Sequence, residues 1–334
     1  MIGIVAIGRN EGERLKACLA AASAVRIDGR PATVVYVDSG STDGSREAAE
    51  SFGAHVVNLD LSRPFTAARA RNEGFDRLMS VSPDCTFVQF LDGDCVLQDG
   101  WIEKALATFE AKPQAANVCG RRREKFPDAT LWNKLCDVEW DTPVGQALAS
   151  GGDALIKVEA FKKVGGYNPA VIAGEEPEMC VRLRQAGYTI WRIDAEMTLH
   201  DAAMTRFGQW WKRTLRAGHA YAEGAAMHGA PPERHWVKEV RSNYLFGLVL
   251  PLAALALAWP TWGLSLLAFG LYPLLGYRVC TYYKGRGLDA ATARRVAFFI
   301  VIGKLPNALG QLKYRWRKLT GKQAKIIEYK TAAA

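Results

Sequence analysis

The stretch Phe87-Val88-Gln89-Phe90-Leu91-Asp92-Gly93-Asp94 decides the reading of this chain. Its first five residues form a short apolar run of the kind that makes a buried strand, and the two carboxylates stand where that strand emerges. Two carboxylates separated by one glycine can approach a divalent cation and a nucleotide diphosphate together. Hard oxygen ligands suit magnesium or manganese, and glycine lets the backbone come close. Alone, the triplet also reads as an Asp-Gly turn closing a hairpin, so its neighbours must choose between the two.

Outward from it, the first half alternates short β-branched runs with helical periodicity, the mark of strand-helix-strand units and a largely parallel sheet. Residues 2–7, 33–37, 54–59 and 86–91 read as strands; 11–24, 45–52, 66–79 and 101–111 read as helices. A doubly wound sheet binds ligands beyond the carboxyl ends of its strands. Here three strands run into polar loops: Gly8-Arg9-Asn10-Glu11, Asp38-Ser39-Gly40-Ser41-Thr42-Asp43 and Asp92-Gly93-Asp94. The pattern becomes irregular through Gly151-Gly152 and Gly165-Gly166-Tyr167 and resumes as a helix over 177–185.

Asp38 at a strand terminus is placed to accept a hydrogen bond from a base or ribose, whereas Asp43 suits the N-cap of the helix from Ser45. In Gly174-Glu175-Glu176-Pro177-Glu178, proline at a first helical position makes Glu176 the expected N-cap, a poor one, so its carboxylate is free to reach outward. Glu176 or Glu175 could then serve as a general base for an acceptor hydroxyl. The alternative is three acids complementing a helix dipole. No GxxxxGK[ST] pattern is present and no GxGxxG follows the first strand, which weighs against the common ATPase and dinucleotide-binding readings.

Asn10-Glu11-Gly12-Glu13, the Val-Asp-Ser-Gly-Ser-Thr-Asp-Gly loop at 37–44, Ala70-Arg71-Asn72-Glu73-Gly74, Asp92-Gly93-Asp94, Val164-Gly165-Gly166-Tyr167 and Gly174-Glu175-Glu176 with Arg182-Leu183-Arg184 follow one another in order. This series resembles that of family 2 glycosyltransferases over roughly residues 1–205. The resemblance implies a GT-A fold: α/β, Rossmann-like, with a mostly parallel sheet flanked by helices. It further implies a nucleotide-diphosphate sugar donor, taken as a UDP-sugar, a divalent Mn2+ or Mg2+, and inversion at the anomeric carbon. It assigns Glu11, Asp38 and Arg71 to the nucleotide, Asp92 to ribose or metal, and Asp94 to metal. The family places Glu-Asp where this chain has Glu175-Glu176, which puts Glu176 in the base position. His200 falls where some GT-A enzymes supply a further metal ligand. Residues 1–114 are then the nucleotide-sugar half and 115–205 the acceptor half.

Gln209-Trp210-Trp211-Lys212-Arg213 partly resembles the QxxRW sequence of processive synthases but departs at its last two positions, so a non-processive enzyme is expected. Its other reading is an amphipathic helix with its tryptophans buried or at a membrane interface. Gly152, Arg213 and Arg216 are further candidates to meet the acceptor or a diphosphate, as are Arg206 and Lys212.

The formal charge of +9 is not spread evenly. From Arg278 on, 13 Lys/Arg face two acids, while residues 1–277 carry 30 bases against 32 acids. Just before that tail, residues 244–277 contain no Asp, Glu, Lys, Arg or His. This exceeds the ~20 apolar residues of a spanning helix, but Pro260 splits it into halves short of that length. A single span would strand the basic tail outside, against the positive-inside tendency. A re-entrant hairpin or a pair of interfacial helices, following amphipathic connecting helices over 206–243, meets both constraints. The other reading is a buried apolar domain or oligomer interface. The expected partners are a nucleotide-sugar donor, a lipid-linked or saccharide acceptor and anionic phospholipid, at the cytoplasmic face of the plasma membrane. The rival is a basic membrane-tethering or nucleic-acid-binding protein with a non-catalytic first domain; no nucleic-acid-binding motif accompanies the tail. A nucleotidyltransferase lacks its expected N-terminal Gly-rich loop. Seven scattered cysteines and no recognisable signal peptide fit a reducing compartment without disulfides or a zinc site. Thr331-Ala332-Ala333-Ala334 reads as an expression remnant.

Overall fold

Ile2–Gly8 (β1), Thr33–Asp38 (β2), His55–Asn58 (β3) and Phe87–Asp92 (β4) are strands in a computed structural model that describes residues 1–321. β2 and β4 flank β1 in parallel, and β3 runs parallel to β2. These strands are apolar along their length because both faces are covered; Ile4, Val5, Val35, Tyr36, Val37, Phe90 and Leu91 are fully buried.

The sheet continues through Cys95–Leu97 (β5), Ala115–Glu124 (β6), Gly145–Ala147 (β7), Ala154–Lys157 (β8) and Thr189–His200 (β9). Its order is β3-β2-β1-β4-β8-β6-β9-β5, with β7 on β9. The parallel arrangement read from the sequence holds for the first half and for β6 with β9. β8 is antiparallel to β4 and β6, and β5 and β7 are antiparallel to β9, so the sheet as a whole is mixed. Between β6 and β8 the chain passes through the helix Leu131–Trp140, β7 and the Gly151-Gly152 loop.

Glu13–Ala24 (α1), Ser45–Ser51 (α2), Ala67–Val81 (α3), Trp101–Ala111 (α4), Leu131–Trp140 (α5), Val158–Lys163 (α6) and Glu175–Gln185 (α7) complete this unit, Met1–Thr205. Thr66 caps α3 by accepting from the Arg69 amide. Gly74 of α3 lies so close to the sheet that a Cβ would come within 2.5 Å of Val5 Cγ1. That contact explains the glycine in Ala70-Arg71-Asn72-Glu73-Gly74.

α7 starts two residues earlier than the proline suggested. Gly174, at φ 82°, is the N-cap, Glu175 is the first helical residue, and Glu176 lies inside the first turn. A residue able to adopt positive φ at the cap overrides the preference of proline for the first position. Asp43 is likewise one residue outside the cap of α2, which is Gly44. Its carboxylate still accepts from the Ser45 amide and hydroxyl and reaches the Gly12 amide at 2.9 Å.

The second unit begins at Arg206. Phe207–His228 (α8), Val237–Tyr244 (α9), Leu250–Ala256 (α10), Leu271–Gly285 (α11), Ala290–Ile302 (α12) and Lys304–Thr320 (α13) are its α-helices. α8 and α13 cross at glycines: a Cβ on Gly218 or Gly310 would fall 2.0 Å from the Asn307 or Leu215 carbonyl oxygen. A π-helical turn, Leu245–Val249, joins α9 to α10 where the Pro251 ring excludes the regular carbonyl position. The chain then turns over 257–263 and returns through a 3-10 stretch, Leu264–Gly270, into α11. The return limb is longer than expected from Pro260 to Tyr277, because α11 continues past Arg278 and Lys284. Leu264–Gly285 is long and apolar enough to cross a membrane by length and composition, and none of its most apolar window is buried. Trp259 and Trp262 in the turn are 93% and 95% exposed. Lys322, Lys325, Glu328, Lys330 and the terminal 331–334 lie outside the described residues.

Candidate active site

The loops after β1 and β2 are knitted together. The Asn10 amide donates to Ser41 Oγ at 2.9 Å, the Thr42 amide donates to Asn10 Oδ1 at 2.8 Å, and the Gly12 amide donates to Asp43. Asn10 and Gly12 both hold positive φ to allow this. Asp38, almost fully buried, accepts the Gly40 and Ser41 amides on Oδ2 and the Tyr36 hydroxyl on Oδ1. It shapes its own loop through these bonds. Glu11 pairs with Arg14 at 2.7 Å, and its Cγ would meet a Cβ added at Gly8 or Gly93. Glu11 therefore stands between the end of β1 and the Asp92-Gly93-Asp94 loop.

Arg71 of α3 is the hub of the arrangement. Its Nη2 lies 2.8 Å from Asp92 Oδ1, and its Nη1 lies 3.0 Å from both Glu175 Oε1 and Glu176 Oε1. The side chain is 2% exposed. The arginine assigned to the nucleotide by resemblance thus acts, in the structure, on three carboxylates from β4 and α7. Asn72 fixes the same junction, its amide donating to the Tyr167 carbonyl and its oxygen accepting the Tyr167 amide. Gly152 faces it from the other side: a Cβ there would sit 2.5 Å from Arg71 Nη2 and 3.0 Å from Asp92 Oδ2.

Burial alone would raise the Asp92 carboxyl, but the Arg71 and Arg122 guanidinia hold it well below the usual carboxylate range. The opposite balance rules at Glu176. Burial, with Glu175 beside it, outweighs Arg71 and pushes its carboxyl up to about 7. Of the two glutamates, Glu175 is the deeper, with 4% side-chain exposure against 15% for Glu176.

Asp94 and His200 meet at the end of β9, with Oδ2 and Nε2 3.2 Å apart. Asp94, Cys95 and His200 offer ligand atoms within 4.8 Å of one another, and Asp92, Cys95 and Asp153 form a second such group. The first group fits a divalent cation by its carboxylate oxygen and imidazole nitrogen. Cys95 fits less well, since burial pushes its thiol up despite Arg122. Trp140 stands edge-on to His200 with centroids 4.5 Å apart.

Sequence reasoning missed Arg122, Asp153 and Trp140. Arg122 Nη2 lies 2.7 Å from Asp92 Oδ2, and its Nε lies 3.2 Å from Asp153 Oδ2. Asp153 also accepts the Asp92 amide and the Thr198 hydroxyl. The run Arg121-Arg122-Arg123 was the available signal. Arg121 bonds Asp137 and Arg123 bonds Glu196, so alternation along β6 leaves only Arg122 on the side of Asp92.

Arg213 and Arg216 stand on α8 in the second unit. In that unit Gln209 accepts the Arg206 amide as half of a capping box, and Trp210 is buried against Phe207 and Phe299. The partial QxxRW likeness thus coincides with a helix start and a core aromatic.

The sequence model of "Glycosyl transferase family 2" matches residues 4–163. Among curated proteins, the succinoglycan biosynthesis protein ExoA of Rhizobium meliloti is 28% identical over 264 residues, 74% of this chain and 78% of its own length. The O-antigen chain rhamnosyltransferase WbaN of Salmonella anatum is 26% identical over 48% of this chain and 54% of its own. Among solved structures, a mannosyltransferase of Pyrobaculum calidifontis in complex with GDP-Man and Mn2+ superposes with TM-score 0.58 at 19% identity. That likeness covers 95% of this chain and 87% of the mannosyltransferase, and shows the shared fold. The GT-A-like sheet and the acidic loop at the end of β4 thus lie in a chain whose residues 4–163 match glycosyl transferase family 2.

Proposed function

We propose that the enzyme is an inverting, metal-dependent and non-processive glycosyltransferase. It moves a sugar from a nucleotide-diphosphate sugar, read as a UDP-sugar, to a lipid-linked saccharide at the cytoplasmic face of the plasma membrane. One observation carries the reading: Arg71 ties Asp92, at the mouth of the Asp94–His200 pair, to Glu176, so a cation-binding end and a proton-accepting end share one hub.

Asp94 and His200 would hold Mn2+ or Mg2+, the imidazole favouring manganese, and such an ion would offset charge on the departing diphosphate. The chain's own residues supply the rest. The knitted loops around Asp38 and Asn10 hold the nucleoside. Glu176, the more exposed of the pair, takes the acceptor proton as the acceptor oxygen bonds to C1 and the C1–diphosphate bond breaks, while Arg71, itself paired with Glu175, holds its carboxylate in place. A carboxyl poised near 7 suits a base at neutral pH. Asp92, with a guanidinium on each oxygen, anchors both arginines.

The GDP-Man and Mn2+ complex of the structural relative supports a nucleotide sugar and a manganese ion. The succinoglycan biosynthesis and O-antigen chain relatives support a saccharide acceptor in polysaccharide biosynthesis. The exposed apolar hairpin supports lipid as the acceptor's carrier. The test is a panel of nucleotide sugars with Mn2+ and polyprenyl-diphosphate saccharides. Transfer with release of a nucleoside diphosphate and inverted anomeric configuration is expected. Turnover without added or bound metal, or with retention, would refute the mechanism.

A further inference from the structure

Arg122 is placed unlike any other cation at the site. Its guanidinium stands among Asp92 Oδ2 at 2.7 Å, Asp153 Oδ2 at 3.2 Å and Cys95 Sγ at 3.0 Å. Those three atoms are the second cation-competent group, so a protein cation already fills it. Cys95 Sγ belongs to both groups, which means Arg122 stands directly beside the Asp94–His200 pair. Trp140 covers the guanidinium at 5.2 Å and touches His200 edge-on, closing the same corner. The strand pairing fixes the position: Arg122 is opposite Thr198, just past the irregularity between Glu196 and Thr198, and Thr198 Oγ1 donates to Asp153.

Two features separate this arginine from a structural pin. Its side chain is 16% exposed where that of Arg71 is 2%. Its Nη1 makes no hydrogen bond among the described residues, whereas Nη2 donates to Asp92 and Cys95, and the buried Nε lies 3.2 Å from Asp153 Oδ2 without a hydrogen bond. A guanidinium anchored through Nη2, with the Asp153 carboxylate beside its Nε, presents Nη1 as a pre-oriented, charge-bearing donor, suited to phosphate oxygens.

We propose that Arg122 binds the diphosphate of the donor through Nη1, as a resident cation of the protein beside the divalent ion. This rests on the reading of Asp94 and His200 as the cation site of a nucleotide-diphosphate sugar enzyme. The arrangement keeps a permanent positive charge at the leaving group and reserves the Asp92–Asp153 pocket for a guanidinium, confining the added ion to Asp94 and His200.

Inorganic pyrophosphate tests this without any base or sugar. Binding of Mn2+ is followed by electron paramagnetic resonance, and binding of pyrophosphate in saturating Mn2+ by calorimetry, on the full chain, Arg122→Gln and Arg122→Lys. The expected result is that Arg122→Gln weakens pyrophosphate by about ten-fold or more, leaves Mn2+ affinity within about three-fold, and that Arg122→Lys recovers part of the loss. Unchanged pyrophosphate affinity in Arg122→Gln overturns the proposal. So does equal loss of Mn2+ and pyrophosphate binding in both variants with a lowered Tm, which makes Arg122 a structural pin, and so does wild-type protein that binds Mn2+ but no pyrophosphate. If no nucleotide sugar is a substrate while the pyrophosphate result holds, the donor reading fails and the anion site stands.

Discussion

Arg71 Nη1 lies 3.0 Å from Glu176 Oε1 while its Nη2 lies 2.8 Å from Asp92 Oδ1, so one guanidinium of α3 joins the first turn of α7 to the end of β4. The carboxylate proposed as the base is therefore paired with a residue more than a hundred positions away in sequence, next to the Asn72 that bonds Tyr167.

Arg71→Met should cost stability and turnover together. Removing one partner from a buried ion pair leaves uncompensated charge, about 3–5 kcal/mol, and here three carboxylates lose their common partner. Arg71→Lys keeps the charge but cannot span both sides. We expect Arg71→Lys to fold, shown by a Tm loss smaller than that of Arg71→Met, yet to lose most of kcat. Near-normal kcat in Arg71→Lys would show that the bridge does not position the base.

The pH profile follows from Glu176. A base must be ionised, and burial pushes this carboxyl up to about 7. Transfer should therefore fall about ten-fold per unit as pH drops below about 7 and level off above it. Linkage gives a second readout of opposite sense. A raised carboxyl favours the folded state while protonated, and that contribution is lost as pH rises through about 7. Glu176→Gln, which never ionises, should melt above wild type at pH 8, the gap closing toward pH 5, while its turnover collapses. A profile centred near the ordinary glutamate value would move the base elsewhere.

Much of this was legible in the sequence, and the rest was not, for a physical reason. Strand-end loops announce themselves because apolar runs break into Gly, Ser, Asn and Asp at a fixed place, so Glu11, Asp38, Asp92 and Asp94 could be singled out from local pattern alone. His200 was found only by resemblance. The helix start at Glu175 was misplaced because a local rule about proline competes with the backbone freedom of Gly174. Arg122 and Asp153 stayed hidden because their roles depend on which strand lies beside which. β8 and β6 reach Asp92 through an antiparallel return, and no local pattern in residues 115–157 encodes that pairing.

His200→Ala and Asp94→Asn should each abolish tight Mn2+ binding without unfolding the protein. Loss of a mere outer-sphere partner lowers metal affinity by about 10–100-fold, and loss of a ligand should exceed that. Electron paramagnetic resonance of Mn2+ in the two variants and the wild type reads this directly. Mn2+ affinity unchanged in His200→Ala would reduce the histidine to packing against Trp140.

The last expectation concerns the hairpin of the second unit, whose turn presents Trp259 and Trp262 almost fully to solvent beside a limb with no buried apolar window. Leaving such surface in water is costly: each indole covers about 150–250 Å2, and at about 25 cal/mol per Å2 its transfer into lipid gains several kcal/mol. Exposed leucines on the same limb, Leu264, Leu267, Leu271 and Leu274, extend the surface. Basic residues from Arg278 onward follow the apolar stretch and would meet anionic headgroups. Two forces of different salt dependence should then hold the chain to vesicles. With anionic vesicles, 1 M salt should weaken binding only in part, because the apolar contribution remains. Trp259→Ser with Trp262→Ser should lower partitioning by about ten-fold or more and make the remainder fully salt-sensitive. Complete release of the wild type by salt alone would show that charge holds the chain to the surface and that the apolar hairpin does not enter the bilayer.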